Sequence, residues 1–249
     1  MIPPQKDMIE RLVPGQAPQH LWEEHLTRYR FACQFAKNKI VLDLGCGNGY
    51  GSFELAKNGK AKRVIGVDKS MEAINYAQKH YQNENLEFRI GDVSNLDFPA
   101  ESADIIVAFE IIEHLKEPEK FLEEIKKVLK PDGLCLISTP NRKIASYPCL
   151  KYRRPRNIYH EFELTENEFL NLLKGHFKIV DFYGQRLIPK ILTPYLVRKL
   201  IEKFSYHLAP IIKKDFNWQI YYQANGPALV HLPKKGKTAA AFLAVCQKI

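Results

Sequence analysis

Glu110-Ile-Ile-Glu113-His114 is the densest chemistry in the chain. Two carboxylates and an imidazole at i, i+3 and i+4 share one face if a helix begins near Glu110. Converging at a sheet edge, they could hold a divalent metal. Carboxylates suit Mg2+ or Mn2+, and a histidine shifts the preference toward Mn2+, Co2+ or Zn2+. Tyr159-His160-Glu-Phe-Glu-Leu-Thr165 brings a second imidazole, His160. With a metal, Glu110, Glu113, His114 and His160 are the candidate ligands. Without one, His114 is the candidate general base beside Glu110. A histidine beside a sheet is also often a packed, satisfied side chain, so these readings stand open together.

A second group of residues is suited to a nucleotide-like ligand. Residues 40–44, Ile-Val-Leu-Asp-Leu, form a short apolar, β-branched run, as in a buried strand. The run leads into Gly45, Gly47, Gly49 and Gly51, with a helical segment near 52–58. Glycines there let the backbone turn sharply and approach a ligand with no Cβ in the way. Strand, glycine turn and helix N-terminus make a binding crevice at the carboxyl end of a parallel strand. A phosphate-binding Gly-Lys-Ser/Thr loop is absent. A pyrophosphate prefers a helix N-terminus free of negative charge. Asp43, two residues before Gly45, repels phosphate and suits a cation.

Further acids follow at telling distances. A second strand, 63–67, ends in Asp68, 21 residues past Gly47, near the spacing of a ribose-binding acid in a βαβ unit. A third, 86–90, precedes Gly91-Asp92-Val93. Singly, each Asp reads as a helix cap or turn residue. In series after three strands they point to a cofactor.

Asp43-x-Gly45-x-Gly47-x-Gly49 resembles the first motif of the class I S-adenosylmethionine (SAM) methyltransferases. SAM carries an ammonium and a sulfonium, which an acid suits. The resemblance implies that Asp68 accepts hydrogen bonds from both ribose hydroxyls, that Asp92 bonds the adenine amino group, and that Val93 offers a backbone N–H. Lys69 and Phe109 complete the cofactor set it implies. Glu110-x-x-Glu113-His114 with His160-x-Phe162-Glu163-x-Thr165 looks like the small-RNA 3′-terminal 2′-O-methyltransferases. In those, two Glu and two His bind a metal that engages the substrate hydroxyls. That family's acid before the metal histidine is Tyr159 here, and its Trp after Phe-Glu is Leu164. The first motif alone also resembles the metal-dependent ubiquinone-pathway O-methyltransferases. Ser138-Thr-Pro-Asn-Arg142, Asn157-x-Tyr159-His160 and Glu24-His25-Leu26-x-Arg28-Tyr29-Arg30-Phe31-Ala32 look like bacterial methyltransferases found with cell-surface polysaccharide genes. That last resemblance is the broadest. Metal-free relatives carry similar residues, with the first Glu near SAM and the His packing or steering substrate.

The elements that must position these groups alternate. Helices are expected at 22–36, 71–81, 118–129 and 165–173, the last with a Thr165/Glu168 capping box. Strands four to seven are expected at 103–108, 134–138 after a Pro-Asp-Gly turn, 177–183 and 239–246. The alternation predicts an α/β, doubly wound, seven-stranded and mostly parallel sheet. The resemblance adds an antiparallel last strand inserted beside strand five. Residues 1–249 read as one domain, with a helical cap at 1–38 and a helical, aromatic insertion or lid at 186–237. That insertion either covers the crevice or simply packs on the core.

The chain has 249 residues and a net charge of +9, and five Cys with no CxxC pair, read as reduced thiols. No signal-peptide core and no apolar run of membrane-spanning length are evident, so a cytoplasmic location is expected. The charge is uneven. Residues 140–237 carry 18 Lys+Arg against 7 Asp+Glu, +11, and the remainder 19 against 21, −2. The densest run is Lys151-Tyr-Arg-Arg-Pro-Arg156. Such asymmetry fits an anionic acceptor, such as a phosphorylated sugar, a lipid head group or RNA, and permits weak membrane-surface contact. It also fits a solvated face. The expected function is SAM-dependent O-methylation of a sugar or other small hydroxylated acceptor. RNA 2′-O-methylation and a non-catalytic SAM-binding module are the alternatives.

Overall fold

A computed structural model describes residues 18–146, 155, 157–189, 228–232, 235 and 237–249. Helices α1 (Gln19–Ala36), α2 (Tyr50–Lys57), α3 (Met71–His80), α4 (Pro118–Val128), α5 (Arg142–Ala145) and α6 (Glu166–Lys174) surround one sheet. Its strands are β1 (Ile40–Leu44), β2 (Arg63–Asp68), β3 (Leu86–Ile90), β4 (Ala103–Phe109), β5 (Leu129–Pro140), β6 (Phe177–Pro189), β7 (Leu229–His231) and β8 (Lys237–Lys248). Their spatial order is β3-β2-β1-β4-β5-β8-β6-β7. Strands β1 to β5 pair in parallel, and β8 runs antiparallel between β5 and β6. The order reverses between β1 and β4, the point where an α/β sheet opens a crevice at its carboxyl edge.

Period-two alternation decides which residue faces which layer. Leu42 and Leu44 join Ile106, Phe121, Ile125 and Phe169 under α4 and α6. Val41 joins Tyr29, Ala32, Leu55, Val64 and Val107 under α1 and α2. Asp43 stands on the α1/α2 side and is wholly buried. Helix α4 buries Phe121, Leu122, Ile125 and Val128, the stripe that its spacing predicts. Helix α6 starts with the expected capping box, Thr165 N–H donating to Glu168 Oε2 at 2.8 Å.

Four expectations need correction. The sheet has eight strands rather than seven, because β7 adds to the edge of β6 inside the expected lid. A three-residue edge strand carries too little pattern to be read from sequence. Strand β6 runs to Pro189, so residues 186–189 belong to the sheet. Pro131-Asp132-Gly133 is not a turn before β5 but a bulge within it: Ala103 pairs with Leu129 and Ile105 with Leu134. No helix begins at Glu110; a 3-10 turn begins at Ile112. Glu110 itself has φ 53°, outside the right-handed helical region. Residues 190–227 of the expected lid, residues 1–17 and most of the basic run at 151–156 lie outside the described residues.

Candidate active site

The glycine turn leaves β1 with Gly45, Gly47 and Gly49 all at positive φ. Two of them matter differently. A Cβ at Gly47 would meet nothing within 4 Å, so this backbone faces open space. A Cβ at Gly49 would stand 2.6 Å from that of Ala77 and 2.7 Å from the Phe88 ring, so this glycine lets α2 seat against α3 and β3. Asp68, at the end of β2, accepts from Gly47 N–H at 2.9 Å and from Ser70 N–H at 2.9 Å. It therefore ties the glycine turn to the neighbouring strand and the cap of α3. Ile90, its partner in β3, is exposed, as is Asp92, whose Oδ1 accepts from Ser94 N–H at 2.8 Å. Lys69 is exposed, and Val93 and Phe109 are buried.

Asp43 does not face the crevice directly. Its Oδ1 accepts from the Tyr29 hydroxyl at 3.1 Å and its Oδ2 from the Ser52 hydroxyl at 2.6 Å. Burial pushes its carboxyl up to about 7, despite these two hydrogen bonds. It joins α1, β1 and α2 beneath the glycine turn. The Phe109 ring packs edge-on to Tyr29, 5.1 Å between centroids.

The second half of the site follows β4. Ile111 packs beneath Gly45, where a Cβ would stand 2.9 Å from its side chain, so the two halves adjoin. Glu113, His114 and His160 come together, with candidate ligand atoms all within 4.8 Å of one another. One backbone and one side-chain bond hold the two segments face to face: Glu113 C=O accepts from Glu161 N–H at 2.9 Å, and the His114 side-chain Nδ1 meets Tyr159 C=O at 3.0 Å. A carbonyl only accepts, so Nδ1 of His114 donates here, and in the neutral ring Nε2 is then the acceptor atom. The His114 and His160 rings meet edge to face at 4.8 Å. Glu113 is 1% exposed and accepts from the Thr139 hydroxyl at 3.1 Å. Burial, then the nearby Glu110 carboxylate, push its carboxyl well above the usual range.

Glu110 lies outside that three-residue cluster. Its Oε1 accepts from the Ser138 hydroxyl at 2.8 Å and lies 4.0 Å from Arg28 Nη2. Its N–H donates to the Ser138 carbonyl at 3.2 Å, and its backbone is left-handed. Strained backbone of this kind, over-determined by its neighbours, concentrates at functional sites.

Three residues of the site carried no chemistry of their own in the sequence reading. Arg28, 2% exposed, reaches from α1 to Gln185 Oε1 at 2.5 Å and toward Glu110. Asn157 and Glu163 flank His160 at 2.9 Å each. All three fall within motifs quoted above, so motif membership was the available signal; their contacts join distant segments. A cavity of about 580 Å³ between Phe35, Lys39, Asp104, Lys130 and Leu134 lies at the opposite, amino end of the sheet and touches none of these groups.

Residues 35–203 match the methyltransferase-domain family. A probable SAM-dependent methyltransferase of Mycolicibacterium smegmatis is 34% identical over 177 residues, 70% of this chain and 66% of that protein. The ubiquinone biosynthesis O-methyltransferase of Coxiella burnetii is 36% identical over 113 residues, 45% of this chain and 47% of the enzyme. The match thus spans less than two thirds of these relatives' own lengths. A SAM-dependent methyltransferase from Mesorhizobium loti superposes with a TM-score of 0.58 at 14% identity, covering 90% of this chain and 98% of that one, which shows the fold alone. With more than half its length in the family match and the sheet order to suit, the chain belongs to the methyltransferase-domain family.

Proposed function

We propose that the chain is a SAM-dependent methyltransferase that acts on oxygen, with a hydroxyl of a sugar or other small, anionic, polyhydroxylated molecule as acceptor. The residues at the crevice fit SAM. Gly47 leaves open backbone, Asp68 supplies a carboxylate at the carboxyl end of β2, and the exposed Ile90 beside it offers an apolar surface for a base. Bound there, SAM supplies a methyl already activated as a sulfonium, so the chain's work is alignment. A hydroxyl acceptor must in addition lose its proton.

The observation that carries the oxygen reading is the convergence of Glu113, His114 and His160 next to the glycine turn. One carboxylate and two imidazoles suit Mn2+, Co2+ or Zn2+ better than Mg2+, because Glu110 is not among the donors. Such a cation lowers the pKa of a bound hydroxyl. Glu113 and His114 would hold it from the turn after β4, and His160 from the facing loop. Glu110, turned to Ser138 and Arg28, would instead border the space between the glycine turn and this cluster. His114, with Nε2 as acceptor, also serves as a base in its own right. The likeness to a ubiquinone biosynthesis O-methyltransferase supports an oxygen acceptor.

Removal of divalent cations with EDTA is expected to abolish methyl transfer to hydroxylated acceptors while leaving SAM affinity, read by calorimetry, nearly intact. Full turnover in EDTA would remove the metal and leave His114 as the base. On the cofactor side, Asp68→Ala removes two charge-assisted hydrogen bonds. It is expected to weaken SAM binding about tenfold or more, and an unchanged Kd would overturn the assignment of Asp68 to the cofactor.

A further inference from the structure

Glu163 stands outside the three-residue cluster, yet it is 3% exposed and hydrogen-bonded to a member of it. Its Oε1 lies 2.9 Å from His160 Nδ1, and its Oε2 meets no donor among the described residues. A buried carboxylate oxygen left unmatched is costly, so the placement needs a reason. The backbone around it is pinned. Leu164 bridges to Asn141, Arg142 N–H donates to Leu164 C=O at 2.9 Å, and Arg142 Nη1 donates to Glu163 C=O at 3.1 Å. Thr165, two residues on, caps α6. Glu163 is therefore presented to His160 by a rigid junction of β5 and α6.

The other ring nitrogen is equally constrained. Asn157 Nδ2 lies 2.9 Å from His160 Nε2, and Tyr159 N–H donates to Asn157 Oδ1 at 3.0 Å. The second contact fixes which end of the amide faces the ring, so Nδ2 is a donor and Nε2 must accept. The proton then sits on Nδ1, facing the Glu163 carboxylate. A ring protonated on both nitrogens would set two donors against each other at Asn157.

We propose that Glu163 is a positioning residue. It holds His160 in the Nδ1–H tautomer and so keeps Nε2 as the ring's lone-pair atom, in the manner of a carboxylate behind a metal-ligating histidine. In the same arrangement the Asn157 amide N–H lies along the Nε2 lone pair, and a cation would take its place. The effect on metal rests on the metal reading above; the tautomer does not.

Two measurements on the full chain separate these. Nitrogen-15 NMR of the His160 ring is expected to show the proton on Nδ1; a proton on Nε2 overturns the proposal whether or not a metal binds. Mn2+ titrated calorimetrically is expected to bind about 10–100-fold more weakly to Glu163→Leu. Glu163→Gln, which keeps an acceptor, is expected to lose less, and SAM affinity to stay unchanged in both as a check on the fold. Equal Mn2+ affinity in all three proteins overturns the proposal. A wild type that binds no Mn2+ sinks the metal reading alone, and the ring proton then decides the role of Glu163.

Discussion

Asp43 shows how one buried carboxylate shapes both site and stability. Two hydroxyls hold it, yet burial dominates and its carboxyl rises from 3.8 to about 7. In the unfolded chain the group ionises near its ordinary value, while the folded chain keeps the proton until about 7. Between those limits the folded state binds more protons, so stability falls as pH rises, by at most about 1.4 kcal/mol per pH unit from this group. Asp43→Asn cannot titrate. Its stability, read by urea unfolding from pH 5 to 7, is expected to fall less steeply than the wild type's. Some slope should remain, because the Glu113 carboxyl is pushed in the same direction. Identical slopes would mean that Asp43 ionises normally in the fold.

At the scale of the element, the glycine turn separates packing from binding. Gly49→Ala combines a strained φ of 86° with a Cβ 2.6 Å from Ala77, so overpacking of about 1–3 kcal/mol adds to the left-handed cost. Gly47→Ala bears only the left-handed cost, about 1–2 kcal/mol, and its methyl enters open space. Thermal melts are expected to show the larger loss for Gly49→Ala. Calorimetry of the folded fraction is expected to show the larger loss of SAM affinity for Gly47→Ala. The reverse ranking would place the cofactor elsewhere. The turn after β4 teaches a related lesson. Glu110, Glu113 and His114 have the spacing of a helix face, but the Glu110 N–H bonds to β5 instead of entering a helix. A strand contact 28 residues away overrode local periodicity.

At the scale of the molecule, the charge excess sits in residues 140–237 at +11, against −2 elsewhere. The same stretch of sequence holds His160 and Glu163. Arg153, Arg154 and Arg156 lie outside the described residues. Reversing their charge is expected to raise the KM for an anionic acceptor several-fold, more at low salt than at high, with SAM affinity unchanged. A silent reversal would make the run a solvated face. Among the described residues, no helix is long and apolar enough to cross a membrane.

The sequence by itself determined the alternation of elements, the glycine turn, and the order of Asp43, Asp68 and Asp92. These depend on hydrophobic period, backbone freedom and short spacing, all local properties of a chain. It also singled out Glu113, His114 and His160 as candidates, because their residue types are rare enough to notice together. Only the tertiary structure decided how they are used. It sealed Asp43 beneath the turn, drew Glu110 away to Ser138 and Arg28, and set Glu163 and Asn157 on either side of His160. Arg28 and its partner Gln185 stand 157 residues apart, and His114 and Tyr159 stand 45 apart. Such pairs leave no periodic trace. They exist because the sheet brings the ends of β4, β5 and β6 to one edge, and burial there forces each polar group to find a partner.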